Sequence, residues 1–412
     1  MKTCVRWAAL AVGAAAVVSC AGPMNSGNQA AAPAEPAPLA QVLVAAGTAG
    51  EQPALERVAL ITEVMPTGIA VSREGRIFLS FPRWGDPVEN TVMELKNGKL
   101  TPYPNAEINR LNMLHPRDNL VSVQSVVVDG QNRLWLLDTG NVKMAANLPE
   151  GPKLVSVDLG TNEVKRIIHF PESVAKEYSY LNDVRFDLKR GKEGTAYITD
   201  SSSHGQNGIV VVDLATGDSW RKLDGDKSVL PETDYVPVVE GIRLMERQPS
   251  QPPKPLTMGS DGIALAPDGS RLYWRPLVGQ HLYSIDTKLL ADRNSAPGQV
   301  AAGVQDHGAL GFASDGMLMD PTGILYLTDY EHHAIRAGKP MGQGQESFDV
   351  LVSDPLMIWP DTLALGPEGY LYMTVNQLNR QPRFNGGKDL RKPPYEVFRV
   401  KAEGGRFVRE ER

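Results

Sequence analysis

The chain has almost no cysteine. Its 412 residues contain two, Cys4 and Cys20, and both fall within the first twenty positions. A domain built from the rest forms no disulfide, holds no thiolate metal centre and uses no thiol nucleophile. Concentrated positive charge is missing too. The 42 Lys and Arg against 48 Asp and Glu give a net charge of −6 with no basic block. That balance argues against nucleic acid as a partner, because phosphate binding needs clustered cations. There is no GxSxG elbow, HExxH, P-loop or GxGxxG opening a helix, which disfavours serine-hydrolase, zincin and nucleotide-binding chemistry. Long helical patterns are few, whereas 39 Gly and 31 Pro favour turns and short strands.

What is present begins with MKTCVRWAALAVGAAAVVSC (1–20), where Lys2 and Arg6 precede an apolar run from Trp7 to Val18. The run is too short and Ala-rich for a stable membrane span and reads as an export signal. It ends Val17-Val18-Ser19-Cys20, which resembles the bacterial lipoprotein signal. Cys20 is therefore the expected lipidation site. Ala21, rather than Asp, follows it, so the expectation is a periplasmic or outer-membrane-anchored lipoprotein held on the membrane by its N-terminal lipid without crossing. Residues 21–54 are rich in Ala, Pro, Gly and Gln and read as a flexible tether. Residues 55–412 remain to fold, and a monomer is expected.

Those residues repeat a design six times: PTGIAVSREGRIFLSF (66–81), VQSVVVDGQNRLWLLDTGN (123–141), LNDVRFDLKRGKEGTAYITDS (181–201), SDGIALAPDGSRLYW (260–274), SDGMLMDPTGILYLTDY (314–330) and PDTLALGPEGYLYMTVN (360–376). Each is a polar opening residue, an apolar strand of period 2, a Gly-bearing turn and a second strand rich in large apolar residues. Thr67 to Gly75, Asp261 to Gly269, Asp315 to Gly323 and Asp361 to Gly369 each span 8 positions. Third strands follow in most units, as in LVSVDLGTN (154–162), GIVVVDLATG (208–217), HLYSIDT (281–287) and YEVFRV (395–400). Opening residues recur at intervals of 57, 58, 79, 54 and 46. This predicts an all-β fold, a six-bladed β-propeller with three- to four-stranded antiparallel blades around a central channel. A pair of β-sandwiches or a seven-bladed ring are the competing architectures. The longest interval holds a Pro-rich insertion, about 225–258, expected to be a loop with one extra strand. ALERVALI (54–61) is a candidate outer strand for the last blade, although the sequence alone does not decide how the ring closes.

Innermost strands line a propeller's channel, so the opening positions Thr67, Gln124, Asn182, Asp261, Asp315 and Asp361 are expected to form a ring of oxygen-bearing side chains that binds a ligand. Second strands end at the same mouth with Asp138, Thr139, Asn141, Asp200, Asp329 and Asn376, followed by long polar loops, whereas the far mouth has tight turns. Two carboxylates ~7 Å apart at an effective dielectric of ~20 repel by roughly 2 kcal/mol, so a proton or a positive partner is expected among them. A cationic amine would serve. So would Ca²⁺ or another hard divalent cation, with Asn182, Asp261 and Asp315 as candidate ligands. The competing reading is Asp residues that cap strand ends around water. Candidate catalytic groups are Asp261, Asp315 and the loop histidines His204 and His307. Glu331-His332-His333 suggests a metal cluster, but neighbours on a strand point to opposite faces. Arg380 and Arg383 are candidate contacts for an anion.

SDGIALAPDGSRLYWRPL, GIVVVDLATGDSWR, LYLTDYEHHAI and PDTLALGPEGYLYMTVNQLNRQPRFNGGKDLRKPPYEVFRV resemble the yellow and major royal jelly protein family, and the chain looks like a bacterial member. The resemblance implies a secreted six-bladed propeller with a ligand pocket at its channel. It also implies amine binding or dopachrome conversion as the activities to expect. A more distant likeness is to gluconolactonase and senescence-marker propellers, whose metal is held by an acidic residue, two Asn and an Asp. Asn182 and Asp315 resemble two of these, Asp261 replaces an Asn, and Thr67 stands where the glutamate should be. The leading expectation is an exported propeller binding a small polar or cationic aromatic ligand. The alternatives are a metal-dependent lactone hydrolase, a dopachrome-type isomerase, or an envelope propeller that docks proteins.

Overall fold

The computed structural model describes residues 53–340 and 347–402; the signal, Cys20 and the tether as far as position 52 lie outside them. Alternating apolar residues form strands here because one face of each strand packs on the next blade. β1 (Glu56–Ile61) comes first. Blade one is β2 (Ile69–Val71), β3 (Ile77–Ser80), β4 (Val92–Lys96) and β5 (Lys99–Pro102), and blade two is β6 (Val123–Val128), β7 (Arg133–Asp138), β8 (Lys153–Asp158) and β9 (Glu163–His169). Blade three is β10 (Leu181–Asp187), β11 (Thr195–Asp200), β12 (Gly208–Asp213) and β13 (Ser219–Lys222). The 225–258 insertion carries two short ladders, β14 (Val238–Val239) with β15 (Ile242–Arg243) and β16 (Met245–Glu246) with β17 (Lys254–Pro255). It is thus two small hairpins rather than a loop with one strand.

Blade four is β18 (Ser260–Leu265), β19 (Arg271–Pro276), β20 (His281–Asp286) and β21 (Gln305–Ala309), and blade five is β22 (Ser314–Met319), β23 (Leu325–Asp329), β24 (Ala334–Gly338) and β25 (Asp349–Ser353). Blade six joins β26 (Pro360–Leu365), β27 (Tyr370–Val375) and β28 (Tyr395–Lys401) to β1, in the order β1-β28-β27-β26. The ring therefore closes by handing the first strand to the last blade. All six blades are four-stranded antiparallel sheets. Closure leaves no inner edge exposed.

Apolar clusters fill the spaces between neighbouring blades. Trp135, Leu181 and Ile198 pack between blades two and three, and Tyr197, Ile263 and Trp274 between three and four. A further cluster lies over the loop-bearing mouth. Val239, Leu244, Leu256 and Met258 of the insertion pack there with Tyr330, Trp359 and Phe384. The polar loops predicted at this mouth thus carry an apolar underside that caps the channel.

Candidate functional site

The ring begins as a recurrent irregularity in the inner strands. In blades two to six the pairing of the first two strands slips at the opening position, between Val123 and Ser125, Leu181 and Val184, Ser260 and Ile263, Ser314 and Met317, and Pro360 and Leu363. Such a bulge breaks strict alternation, so two successive residues reach the channel instead of one. The lining is accordingly paired: Gln124 with Ser125, Asn182 with Asp183, Asp261 with Gly262, Asp315 with Gly316, and Asp361 with Thr362. Blade one pairs without a slip. Its Thr67 is fully buried in the blade wall, with Oγ1 3.2 Å from Ser80 Oγ, and does not line the cavity. The sequence expectation for Thr67 is corrected on that ground.

Glycine follows Asp261 and Asp315 for a steric reason. A Cβ on Gly262 would lie 2.3 Å from Asp315 O, and one on Gly316 2.1 Å from Asp361 O. Each blade's backbone presses against the bulge before it. The Asp-Gly pairs are therefore inter-blade contacts and not turns.

Asn182 donates from Nδ2 to Asp261 Oδ2 at 2.7 Å and to Ser201 Oγ at 2.9 Å. Burial and the neighbouring Asp261 carboxyl favour the protonated form of Asp315, which can then donate to Asp261, while Trp359 Nε1 donates to Asp315 Oδ2 at 2.7 Å. Asn376 Nδ2 donates to Asp361 Oδ2 at 2.5 Å. Tyr180 donates its hydroxyl to Gln124 Oε1 at 2.8 Å. Burial pushes the Asp261, Asp315 and Asp361 carboxyls well above the usual range, and their mutual repulsion adds to it.

Asp183 is the ring residue that strict period-2 reading misses. Its Oδ1 accepts from Ser125 Oγ at 2.6 Å and from Arg185 Nη1 at 2.9 Å. Arg185 also donates from Nη2 to Met317 O in blade five at 2.6 Å, so its guanidinium spans the channel below the ring. The positive partner expected among the carboxylates is thus partly supplied by the chain. Two adjacent polar residues in Leu-Asn-Asp-Val were the available signal. About 10 Å³ remains between the ring side chains, roughly the room needed by the centre of one water.

The other candidates lie elsewhere. Asp138, Asp200 and Asp329 are fully buried and paired with Lys153 (2.9 Å), Arg221 (2.8 Å) and Arg336 (2.7 Å), which makes them struts between strands. His307 is buried on outermost strand β21 against Ser284 Oγ at 2.7 Å. His204 is exposed and stacks on Tyr178 at 4.3 Å. Neither histidine lines the ring cavity. Glu331, His332 and His333 form a turn rather than a strand. Their partners diverge: Glu331 accepts from Tyr235 and Ala313, His332 faces Asp329, and His333 faces Met357 O. Arg380 and Arg383 are bound to Glu240 and Glu246 of the insertion, each at 2.6 Å. Among the described residues, no three His, Cys, Asp or Glu side chains form a preset metal cage.

A channel closed by a cap and lined by acids invites comparison with known propellers. Among solved structures, a luciferin-regenerating enzyme superposes with a TM-score of 0.53 at 12% identity, covering 85% of this chain and 96% of that one. A gluconolactonase from Xanthomonas campestris gives 0.49 at 13% identity, covering 84% and 88%. The first of these supports the fold alone. In sequence, L-dopachrome tautomerase yellow-f of Drosophila melanogaster is 24% identical over 362 residues, covering 81% of this chain and 79% of that protein. Yellow-related salivary protein LJM17 of Lutzomyia longipalpis is 26% identical over 339 residues, covering 76% and 77%. The family model described as major royal jelly protein matches residues 121–392, a span that includes ring residues from blades two to six, and the chain belongs to that family.

Proposed function

We propose that the chain is an exported small-molecule-binding propeller whose selective element is the acid ring, which takes the ammonium end of a small aromatic amine. The observation that carries this is the set of four carboxyl groups around about 10 Å³, three of them pushed well above the usual carboxylate range, chiefly by burial. An ammonium group entering there replaces shared protons and lets carboxylates ionise. The space admits a head group and not a ring, so the aromatic body must part the cap. The cap suits it, because Trp359 bonds Asp315 and stacks on Tyr330 at 4.2 Å, offering π faces beside the acids. Calorimetric titration with tyramine tests this. Micromolar to millimolar binding that falls at least tenfold in Asp315→Asn is expected, and silence from folded wild-type protein would overturn it. Export and anchoring through Cys20 belong to the same reading and are tested by fatty-acid labelling of wild type and C20S.

The Asp261 and Asp315 pair favours a second reading, proton transfer. A carboxyl beside a carboxylate can give and take a proton in one turnover, and a relative is named L-dopachrome tautomerase. Dopachrome conversion lost in D261N and in D315N supports it, and no conversion above the uncatalysed rate excludes it. Ca²⁺ is tested as a competing occupant by thermal melting. At about 100 times its dissociation constant a bound ion adds ~2.7 kcal/mol, and a melting temperature indifferent to Ca²⁺ and EDTA removes it.

A further inference from the structure

A second pocket lies away from the ring. A cavity of about 390 Å³ sits at the loop-bearing mouth between the β3–β4 and β7–β8 connections, with Leu111 of the β5–β6 connection as its third wall. That is the size range of small-molecule sites. Its floor is rigid. Arg83 is nearly fully buried, and its guanidinium donates to the carbonyls of Val88, Glu89, Asn109, Leu120 and Val121 at 2.5–3.1 Å. One side is held under strain. Lys143 and Met144 adopt φ of 59° and 54° in succession, a left-handed geometry that non-glycine residues rarely take and that recurs at ligand sites. The Lys143 N–H is pinned to Arg83 O at 2.8 Å, and Met144 Sδ accepts from Arg383 Nη1 at 3.1 Å.

The charges of the lining separate into spent and unspent. Arg83 is consumed by carbonyls, and Asp86 is held bidentately by Arg391 at 2.6 and 2.8 Å. Lys143 and Glu89 are exposed, and their side chains have no hydrogen-bond or ion-pair partner among the described residues, including each other. Leu111, Val142 and Val88 supply apolar wall. We propose that this cavity is a second ligand site, for a small amphiphilic zwitterion of the α-amino acid type. The carboxylate meets Lys143, the ammonium meets Glu89, and the side chain covers Leu111 and Val142. A purely anionic ligand would face Glu89, and a purely cationic one would face Lys143.

The site has its own reporter. Trp84 lies between two lining residues and donates from Nε1 to Tyr180 Oη at 2.6 Å; Tyr180 in turn donates to Gln124 of the acid ring. Tryptophan emission is followed while L-phenylalanine is titrated into the wild-type chain and into Asp315→Asn, in which amine binding at the ring is weakened at least tenfold. A saturable change in both proteins is expected, abolished by Trp84→Phe. It should be at least tenfold weaker for phenylacetate, for phenethylamine in the D315N protein, and for L-phenylalanine in Lys143→Gln or Glu89→Gln, since each loses a charged hydrogen-bond partner. No saturable response up to the millimolar range, or charge variants that bind as tightly as wild type, would overturn the assignment. Loss in D315N alone would place the binding at the ring and overturn it too, without touching the amine reading.

Discussion

Asp315 is where the chain's charge balance is most exposed to test. Burial keeps protons on Asp261, Asp315 and Asp361 at pH values where the unfolded chain has released them. At these three groups the folded state then binds more protons than the unfolded one, so their contribution to stability is greatest below the ordinary carboxylate range and declines as pH rises toward the raised folded-state values. Asp315→Asn fixes one neutral side chain that can still accept from Trp359 and donate to Asp261. Thermal melts from pH 4 to 8 should show a shallower decline than in wild type. The melting temperature near pH 7 should be higher, by about 1–2 °C for each kcal/mol of repulsion removed. Arg185→Met should act in the opposite direction, because it strands Asp183 and withdraws the bond to Met317 O. A loss of about 3 kcal/mol is expected in urea melts. Five of the six opening positions line the channel as the alternation of their strands implies, and three of them, Asp261, Asp315 and Asp361, also keep the eight-residue spacing to a turn glycine. Asp183 and Thr67 are not. Both depend on whether the strand pairing slips, and slippage is set by contact with the neighbouring blade.

At the level of elements, the bulges and the cap decide what the channel is. Gly316 leaves room for Asp361 O, and a methyl group there would sit at 2.1 Å. Gly316→Ala should therefore destabilise the fold by about 1–3 kcal/mol or more, and a neutral effect would mean that the blades can separate without penalty. The cap is fastened by Glu240 to Arg380 and by Glu246 to Arg383, with backbone bonds from Arg247 N to Arg383 O and from Gly386 N to Arg247 O. In E240Q/E246Q, hydrogen exchange across 238–256 should rise severalfold while the blade strands stay protected. The insertion was visible in the sequence as an over-long, Pro-rich interval. Its role was not, because its apolar residues have no period of their own and find partners far off in sequence, such as Tyr330, Trp359 and Phe384.

For the whole molecule, six repeats and a first strand given to the last blade make a ring of six four-stranded sheets. Repeat spacing reveals the blade number, since each unit must bury its faces against two neighbours. Closure was legible only as a spare apolar segment, ALERVALI, whose pairing with β28 joins residues about 340 positions apart, such as Glu56 with Arg399. A chain beginning after Ile61 leaves β28 an open edge and should lose its single cooperative unfolding transition. Carboxyls raised by burial at the channel should give up protons when a cation arrives, and those protons can be counted. Tyramine is titrated calorimetrically into the wild-type chain near pH 7 in two buffers of different ionisation enthalpy. Release of about one proton or more for each amine bound is expected. Binding heats that do not depend on the buffer would contradict it.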